Sequence, residues 1–182
     1  MRNASFAVLL LALTALAGCS NKIQADPLCP QTGFIGNTDT ITYVVPGTKD
    51  VIATGTINGF SGECKFKDKK SSQLLVSLTL PFNLRAGKAG ATLKNKELPY
   101  FIAVLGPDEK ILQRTAFTTT VTFDDDGVAR SSEDHVLKIP LPSREDAGKY
   151  KVIIGFALTR EQMKYNEDHT SAATKPGEAL QK

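Results

Sequence analysis

Tryptophan is missing from this chain, and imidazole occurs only at His135 and His169. Protein sites for zinc and similar ions draw on clustered Cys and His, so the composition offers a poor ligand set, and neither a metal nor a cofactor is expected. Cysteine is scarce too, with three in all and no C-x-x-C pair, which argues against a thioredoxin-type redox site. Gly59-Phe60-Ser61-Gly62 approaches the G-x-S-x-G pattern of serine hydrolases. Glu63 stands where the last glycine belongs, however, and the surroundings read as strand and not as a strand-to-helix elbow. His135 follows Glu133 and Asp134 at the start of a strand beside a loop and reads as a solvated side chain, not a general base. The run Asp124-Asp125-Asp126 lacks the spaced oxygen ligands of a calcium loop. No catalytic residues are therefore expected. A dominant charge is also missing: the formal balance is +3 at pH 7, too small to imply a nucleic-acid partner.

No apolar run reaches the ~20 residues that span a bilayer. The main one covers residues 4–17, follows Arg2, and ends in Leu16-Ala17-Gly18-Cys19 and Ser20. That is the layout of a removable secretory signal, with small residues where a peptidase must approach. Leu16, Ala17, Gly18 and Cys19 resemble the lipobox of bacterial lipoproteins, whose cysteine is linked to diacylglycerol and becomes the acylated N-terminus. The resemblance implies a signal peptide over residues 1–18, lipidation at Cys19 with acyl chains such as palmitate, and a membrane as partner. One chain holds a protein only marginally, whereas two or three hold it stably. Ser20 is not the aspartate that keeps many Gram-negative lipoproteins in the inner membrane, which implies the outer membrane, facing the periplasm. Removing Arg2 from the 22 basic side chains and none from the 19 acidic ones leaves a mature balance of +2.

With Cys19 committed to lipid, Cys29 and Cys64 remain as an even pair in an oxidising compartment, and a disulfide is expected between them. It would pin the end of a lipidated tether, residues 19–32, to a domain spanning residues 33–166.

That domain reads as strands and turns. Ile41, Tyr43 and Val45 alternate with threonines, and Pro46-Gly47 then turns the chain. Residues 51–66 form a second extended stretch whose Gly55, Gly59 and Gly62 suggest a bulge or break. Leu74, Val76, Leu78 and Leu80 repeat with period two, while residues 100–105 are almost wholly apolar, as in a strand covered on both faces. Phe117, Thr119, Val121 and Phe123 mark another strand, followed by Asp124-Asp125-Asp126-Gly127 as a hairpin-type turn. Leu137, Ile139 and Leu141, then Tyr150, Val152, Ile154, Phe156 and Leu158, complete the set. About seven strands and little helix argue an all-β, antiparallel β-sandwich. Asp146-Ala147-Gly148-Lys149-Tyr150-Lys151-Val152 resembles the D-x-G-x-Y-x-C corner of immunoglobulin-like domains. It implies that the Tyr150 hydroxyl bonds back to the chain, although Val152 replaces the family's cysteine.

Helix is expected only at the C-terminal side of the domain. Thr159-Arg160-Glu161-Gln162 forms a capping box leading into about two turns, on which Met163 packs back onto the domain, and residues 167–182 are expected to be a disordered tail. Cys29-Pro30, Cys64, Tyr100-Phe101-Ile102-Ala103-Val104, Ile139-Pro140-Leu141, Gly155-Phe156-Ala157-Leu158-Thr159, Gln162 and Tyr165-Asn166 resemble a family of uncharacterised alphaproteobacterial lipoproteins. That resemblance implies an envelope lipoprotein with an immunoglobulin-like sandwich and carries no functional residues across.

Basic residues are unevenly placed. Lys65, Lys67, Lys69 and Lys70 precede the strand around residues 74–84, and Arg85, Lys88, Lys94 and Lys96 follow it. Contact with an anionic surface is one reading of the first group; solvated loop charge is the other. The function expected is a lipid-anchored envelope scaffold or interaction module, non-enzymatic, meeting a protein partner through a sheet edge or end loops. An assembly-accessory lipoprotein, similar in architecture to those of type VI secretion, is one variant. The rival is a periplasmic carrier of a small apolar or anionic ligand between the sheets.

Overall fold

The computed structural model describes residues 29–170. Nine strands, β1 (Gln31–Phe34), β2 (Thr40–Val44), β3 (Val51–Ile57), β4 (Ser61–Phe66), β5 (Gln73–Ala86), β6 (Asn95–Leu105), β7 (Ile111–Thr122), β8 (Val128–Pro140) and β9 (Lys151–Phe156), precede a helix, α1 (Arg160–Thr170). They form a two-sheet β-sandwich, with β1-β9-β6-β7 in one sheet and β2, β3, β4, β5 and β8 in the other.

The period-two pattern of β5 explains its central place. Leu74, Val76, Leu78, Leu80, Phe82 and Leu84 are all buried on the inner face, and β8 pairs along almost the whole length from Gln73↔Pro140 to Arg85↔Val128. On the other side β3 and β4 lie end to end: Ile57 pairs with Phe82 and Ser61 with Thr79, so residues 58–60 oppose only residues 80–81. This is a one-residue bulge, and Gly59 at its centre has φ +77°, where a side chain would be strained. The bulge sits within the glycine-interrupted stretch that reads as one extended segment in the sequence. In the other sheet β6 is the strand between β9 and β7, and Ile102, Ala103 and Val104 are all buried there, in keeping with their unbroken apolar run. Phe82 fills the space between the sheets against Tyr100 and Phe156, with ring centroids 5.0 and 6.0 Å away.

Four expectations need correction. β1 pairs parallel to β9 because both strands start from the same end of the sandwich; the other pairings are antiparallel. β1 also begins inside the stretch expected to be tether, since Gln31 N–H donates to the Tyr150 carbonyl at 3.2 Å. The turn after β7 is no hairpin: it carries the chain from one sheet to the other, with β7 paired to β6 and β8 to β5. Finally, α1 runs through Thr170, past the point where a disordered tail was expected. The capping box forms, with Thr159 N–H donating to Gln162 Oε1 at 2.9 Å and Gln162 N–H to Thr159 Oγ1 at 3.2 Å. Tyr165 then stacks on His169 at 3.9 Å one turn further on, and such i,i+4 pairs extend a helix. Residues 171–182 lie outside the described residues.

The strand registers sort the connections into two groups. Cys29, loop 67–72, loop 106–110 and the 3-10 segment Arg144–Lys149 gather at one end, and turn 45–50, residues 87–94 and turn 124–127 at the other. At ~3.3 Å per residue, the 14 residues of β5 separate these ends by roughly 40 Å.

Candidate functional site

The expected disulfide is present: Cys29 and Cys64 are bonded with a Cα separation of 5.7 Å. Cys64 lies on β4, so the bridge fixes the point where the chain enters the domain beside the strand that leads into loop 67–72. Cys19 lies outside the described residues.

Loop 67–72 carries the lysines singled out in the sequence. Asp68 Oδ1 accepts the N–H groups of Lys70 and Ser71 at 2.9 and 2.7 Å, folding the loop on itself. Beneath it Arg144, from the segment after β8, shares Nη1 among the carbonyls of Asp68, Lys69 and Ser71 at 3.1, 3.2 and 2.9 Å. Its guanidinium lies 3.6 Å from the centroid of Phe66. These bonds draw the loop's carbonyls inward, while Lys67, Lys69 and Lys70 are exposed and make no ion pair among the described residues. Lys65 is 3.8 Å from Glu63. It faces Leu75 in register, and Leu75 faces Lys138 on its other side, which extends the basic surface across the outer face of the sheet. Arg85, Lys88, Lys94 and Lys96 lie at the opposite end, so the two basic groups do not merge.

Neighbouring carboxylates are neutralised locally. Asp108 pairs with Lys110 at 2.7 Å, Asp146 with Lys149 at 2.8 Å, and Glu109 with Lys151. The hydrogen bond from Lys110 holds Asp108 below its ordinary pKa, and Lys151 does the same for Glu109.

Close by, β7 is the edge strand of its sheet: β6 pairs with it on one side, and on the other no strand pairs among the described residues, although β8 of the facing sheet approaches its second half, where Thr119 Oγ1 donates to Glu133 Oε1 at 2.6 Å. The first two residues of β7, Ile111 and Leu112, are 62% and 58% exposed. The sequence offered a faint signal here, two adjacent apolar residues that break the alternation after a turn. It offered none for Arg144, whose acceptors lie 73 to 76 positions away.

Other singled-out residues take quieter roles. Tyr150 is buried in the core; its N–H donates to the Ala147 carbonyl, but its hydroxyl makes no hydrogen bond among the described residues, so the expected corner bond is not formed. The Gly59–Gly62 stretch lies at the β3–β4 bulge. Asp124 Oδ1 accepts the N–H groups of Asp126 and Val128, closing the acidic turn. His135 Nε2 shares a 2.9 Å hydrogen bond with the Tyr100 hydroxyl, and its ring packs 4.4 Å from Phe117. Burial lowers the imidazole pKa against the opposing pull of Glu133 and Asp134, and burial, then Glu133, pushes Tyr100 up to about 12. Among the described residues no group of three or more His, Cys, Asp or Glu could hold a metal ion, and no helix is long and apolar enough to cross a membrane.

Clefts open at the margins of the sandwich. One, of about 200 Å³, lies between β1 and β4 and is lined by Cys29, Thr32, Phe60, Glu63, Val76 and Leu78 among others. Another, of about 460 Å³, lies at the end opposite Cys29 and is lined by Lys49, Asp50, Val51, Lys88 and Ala89. A further one, of about 320 Å³, lies beside α1, where Ile35, Leu158 and Met163 form its apolar wall. Met163 is 46% exposed; the helix is docked instead by Asn166, whose amide donates to the carbonyls of Asn37 and Thr40 at 2.9 and 2.8 Å.

Comparison with protein-family models and with curated proteins finds no match to this sequence. Among solved structures, the variable domain of the Streptococcus agalactiae AgI/II polypeptide BspA is similar over 88% of this chain and 93% of that chain, at 15% identity and a TM-score of 0.18. A likeness of that size carries no argument about function.

Proposed function

We propose that this chain is a lipid-anchored protein of the cell envelope, held at the periplasmic face of the outer membrane through acylated Cys19, and that it acts as a non-enzymatic interaction module. The family resemblance of its sequence supports the same reading. One observation carries the interaction role: Ile111 and Leu112 stand exposed at the start of β7, beside an unpaired strand edge. An open edge of N–H and C=O groups can take up an added strand, with adjacent apolar side chains supplying contact area.

The carrier reading, which needs a ligand between the sheets, rests on the cleft between β1 and β4, whose lining includes Val76 and Leu78 from the inner face of β5. At about 200 Å³ it falls below the ~300 Å³ at which ligand pockets usually begin, and the interior beyond it is filled by Phe82, Tyr100 and Phe156. The interaction role is therefore preferred.

The test is a photo-crosslinking residue placed at Leu112 or, as control, at Val136 on the outer face of β8, in cells carrying wild-type or Cys19→Ser protein. A discrete adduct from position 112, absent from 136 and lost with Cys19→Ser, is the expected result. Adducts of equal yield at both positions, or none, would remove β7 as the docking edge. Cys19→Ser protein that fractionates with membranes like wild type would remove the lipid anchor.

A further inference from the structure

We infer that loop 67–72 is the membrane-facing surface of this protein and docks on an anionic phospholipid bilayer through Lys67, Lys69 and Lys70. The inference rests on the lipid-anchor reading and adds an orientation to it. Three independent features converge on it.

The first is where the chain enters. The disulfide holds Cys29 against Cys64, on the strand whose next residues form the lysine loop. Ten positions separate Cys19 from Cys29, a reach of at most ~35 Å when fully extended. A membrane-held Cys19 therefore keeps Cys29 within that distance of the bilayer, while the opposite end lies roughly 40 Å from this one along β5.

The second is charge. At the Cys29 end the carboxylates of Asp108, Glu109 and Asp146 are paired with Lys110, Lys151 and Lys149, Asp68 accepts main-chain N–H groups, and Glu145 accepts the Ser143 hydroxyl and feels the charge of Arg144. Lys67, Lys69 and Lys70 are left exposed without ion pairs among the described residues. The opposite end also carries Lys49, Arg85, Lys88, Lys94 and Lys96, but Asp50 and the Asp124-Asp125-Asp126 turn share that end and offset most of that charge. Each lysine near an anionic surface favours association about fivefold, so three together favour contact through this loop by about a hundredfold.

The third is preorganisation. Arg144 takes the loop's carbonyls at three points, so the main-chain oxygens, which would meet phosphate unfavourably, face inward.

The experiment is lysine footprinting on the full acylated protein, reconstituted in vesicles of phosphatidylcholine alone or with phosphatidylglycerol added, and read by mass spectrometry. The quantity measured is the labelling of Lys67, Lys69 and Lys70 relative to Lys88 and Lys94. It should fall several-fold when phosphatidylglycerol is added and recover in high salt, because screening shortens the reach of these charges. With Lys67→Gln, Lys69→Gln and Lys70→Gln combined, the accompanying protection of Lys65 and Lys138 should disappear. A ratio that is the same on both vesicles, or protection of Lys65 and Lys138 that survives the triple substitution, overturns the inference. The anchor is read separately: a chain without acyl mass at Cys19, or one that does not float with neutral vesicles, refutes the anchor. The ratio on anionic vesicles still decides the loop, and an unchanged ratio there counts against it.

Discussion

At the Cys29 end the chain is held by bonds between residues far apart in sequence: the disulfide joins positions 35 apart, and Arg144 reaches acceptors 73 to 76 positions away. At the opposite end, turns 45–50 and 124–127 are closed by side chains that reach their near neighbours. Thr48 Oγ1 donates to the Val45 carbonyl and accepts from Asp50 N–H, and Asp124 caps Asp126 and Val128. The long-range bonds of this end are mostly between main chains: Gly87 N–H donates to the Ile52 carbonyl at 2.8 Å, Ala86 N–H to that of Gly127 at 2.8 Å and Phe123 N–H to that of Lys94 at 2.9 Å, with the Tyr43 hydroxyl adding a bond to the Glu97 carbonyl at 2.9 Å. The difference teaches that similar loops can be ordered from within or from across the domain, and that only the second kind ties a surface to the chain's point of entry.

The largest test of this contrast is Cys29→Ala. Opening a loop of 35 residues should lower stability by about 3 to 4 kcal/mol on the chain-entropy model, measured by urea denaturation under oxidising conditions; a loss confined to a few tenths would mean that the bridge does not hold this end. Next comes Arg144→Met, which keeps the stem over Phe66 but removes the carbonyl bonds. About 2 kcal/mol should be lost, and hydrogen exchange should quicken in loop 67–72 but not in turn 124–127. Equal quickening at both ends would erase the distinction. At the opposite end Gly87→Ala places a Cβ 2.1 Å from the Val51 carbonyl oxygen, so the main chain must shift, at about 1 to 2 kcal/mol; an unchanged melting curve would show that this end yields without strain.

Between the ends, His135 supplies a pH dependence. Burial holds its folded pKa below the ordinary 6.5, so the unfolded state binds more protons as pH falls below that value. Stability should decline there and level off once the folded imidazole also protonates. His135→Gln should flatten this part of the profile, and a persisting slope would assign it to other groups. The smallest effect belongs to Tyr150→Phe. With no hydrogen bond from that hydroxyl among the described residues, the change should stay within about 0.5 kcal/mol; a loss above ~1 kcal/mol would mean that a corner bond forms after all.

Much of the fold was legible because strand patterning is local. The inward rows of β5 and of the second half of β7, the glycine bulge after β3, and the Thr159–Gln162 cap all depend on residues within a few positions of each other, and each can be read directly. β1 escaped because four residues, QTGF, have too little pattern to distinguish a strand from a tether; its pairing with β9 is what makes it one. The corner motif at residues 146–152 misled for a related reason. The letters match, but the hydroxyl's partner depends on where the neighbouring chain runs. Of the candidate site, the lysines and the cysteine pair were visible, the exposed start of β7 left only a break in the alternation at Ile111 and Leu112, and Arg144 left no signal.

The amino-acid sequence by itself determined the all-β sandwich, the cysteine pairing and the helix cap, because alternation, parity of cysteines and capping chemistry act over short spans or by elimination. Tertiary structure alone decided that β1 runs parallel to β9, that the Asp124 turn joins the two sheets, and that the lysine loop, Arg144 and the chain's point of entry share one end. Those are matters of which surfaces bury one another, and burial is settled only when distant segments compete for the same core.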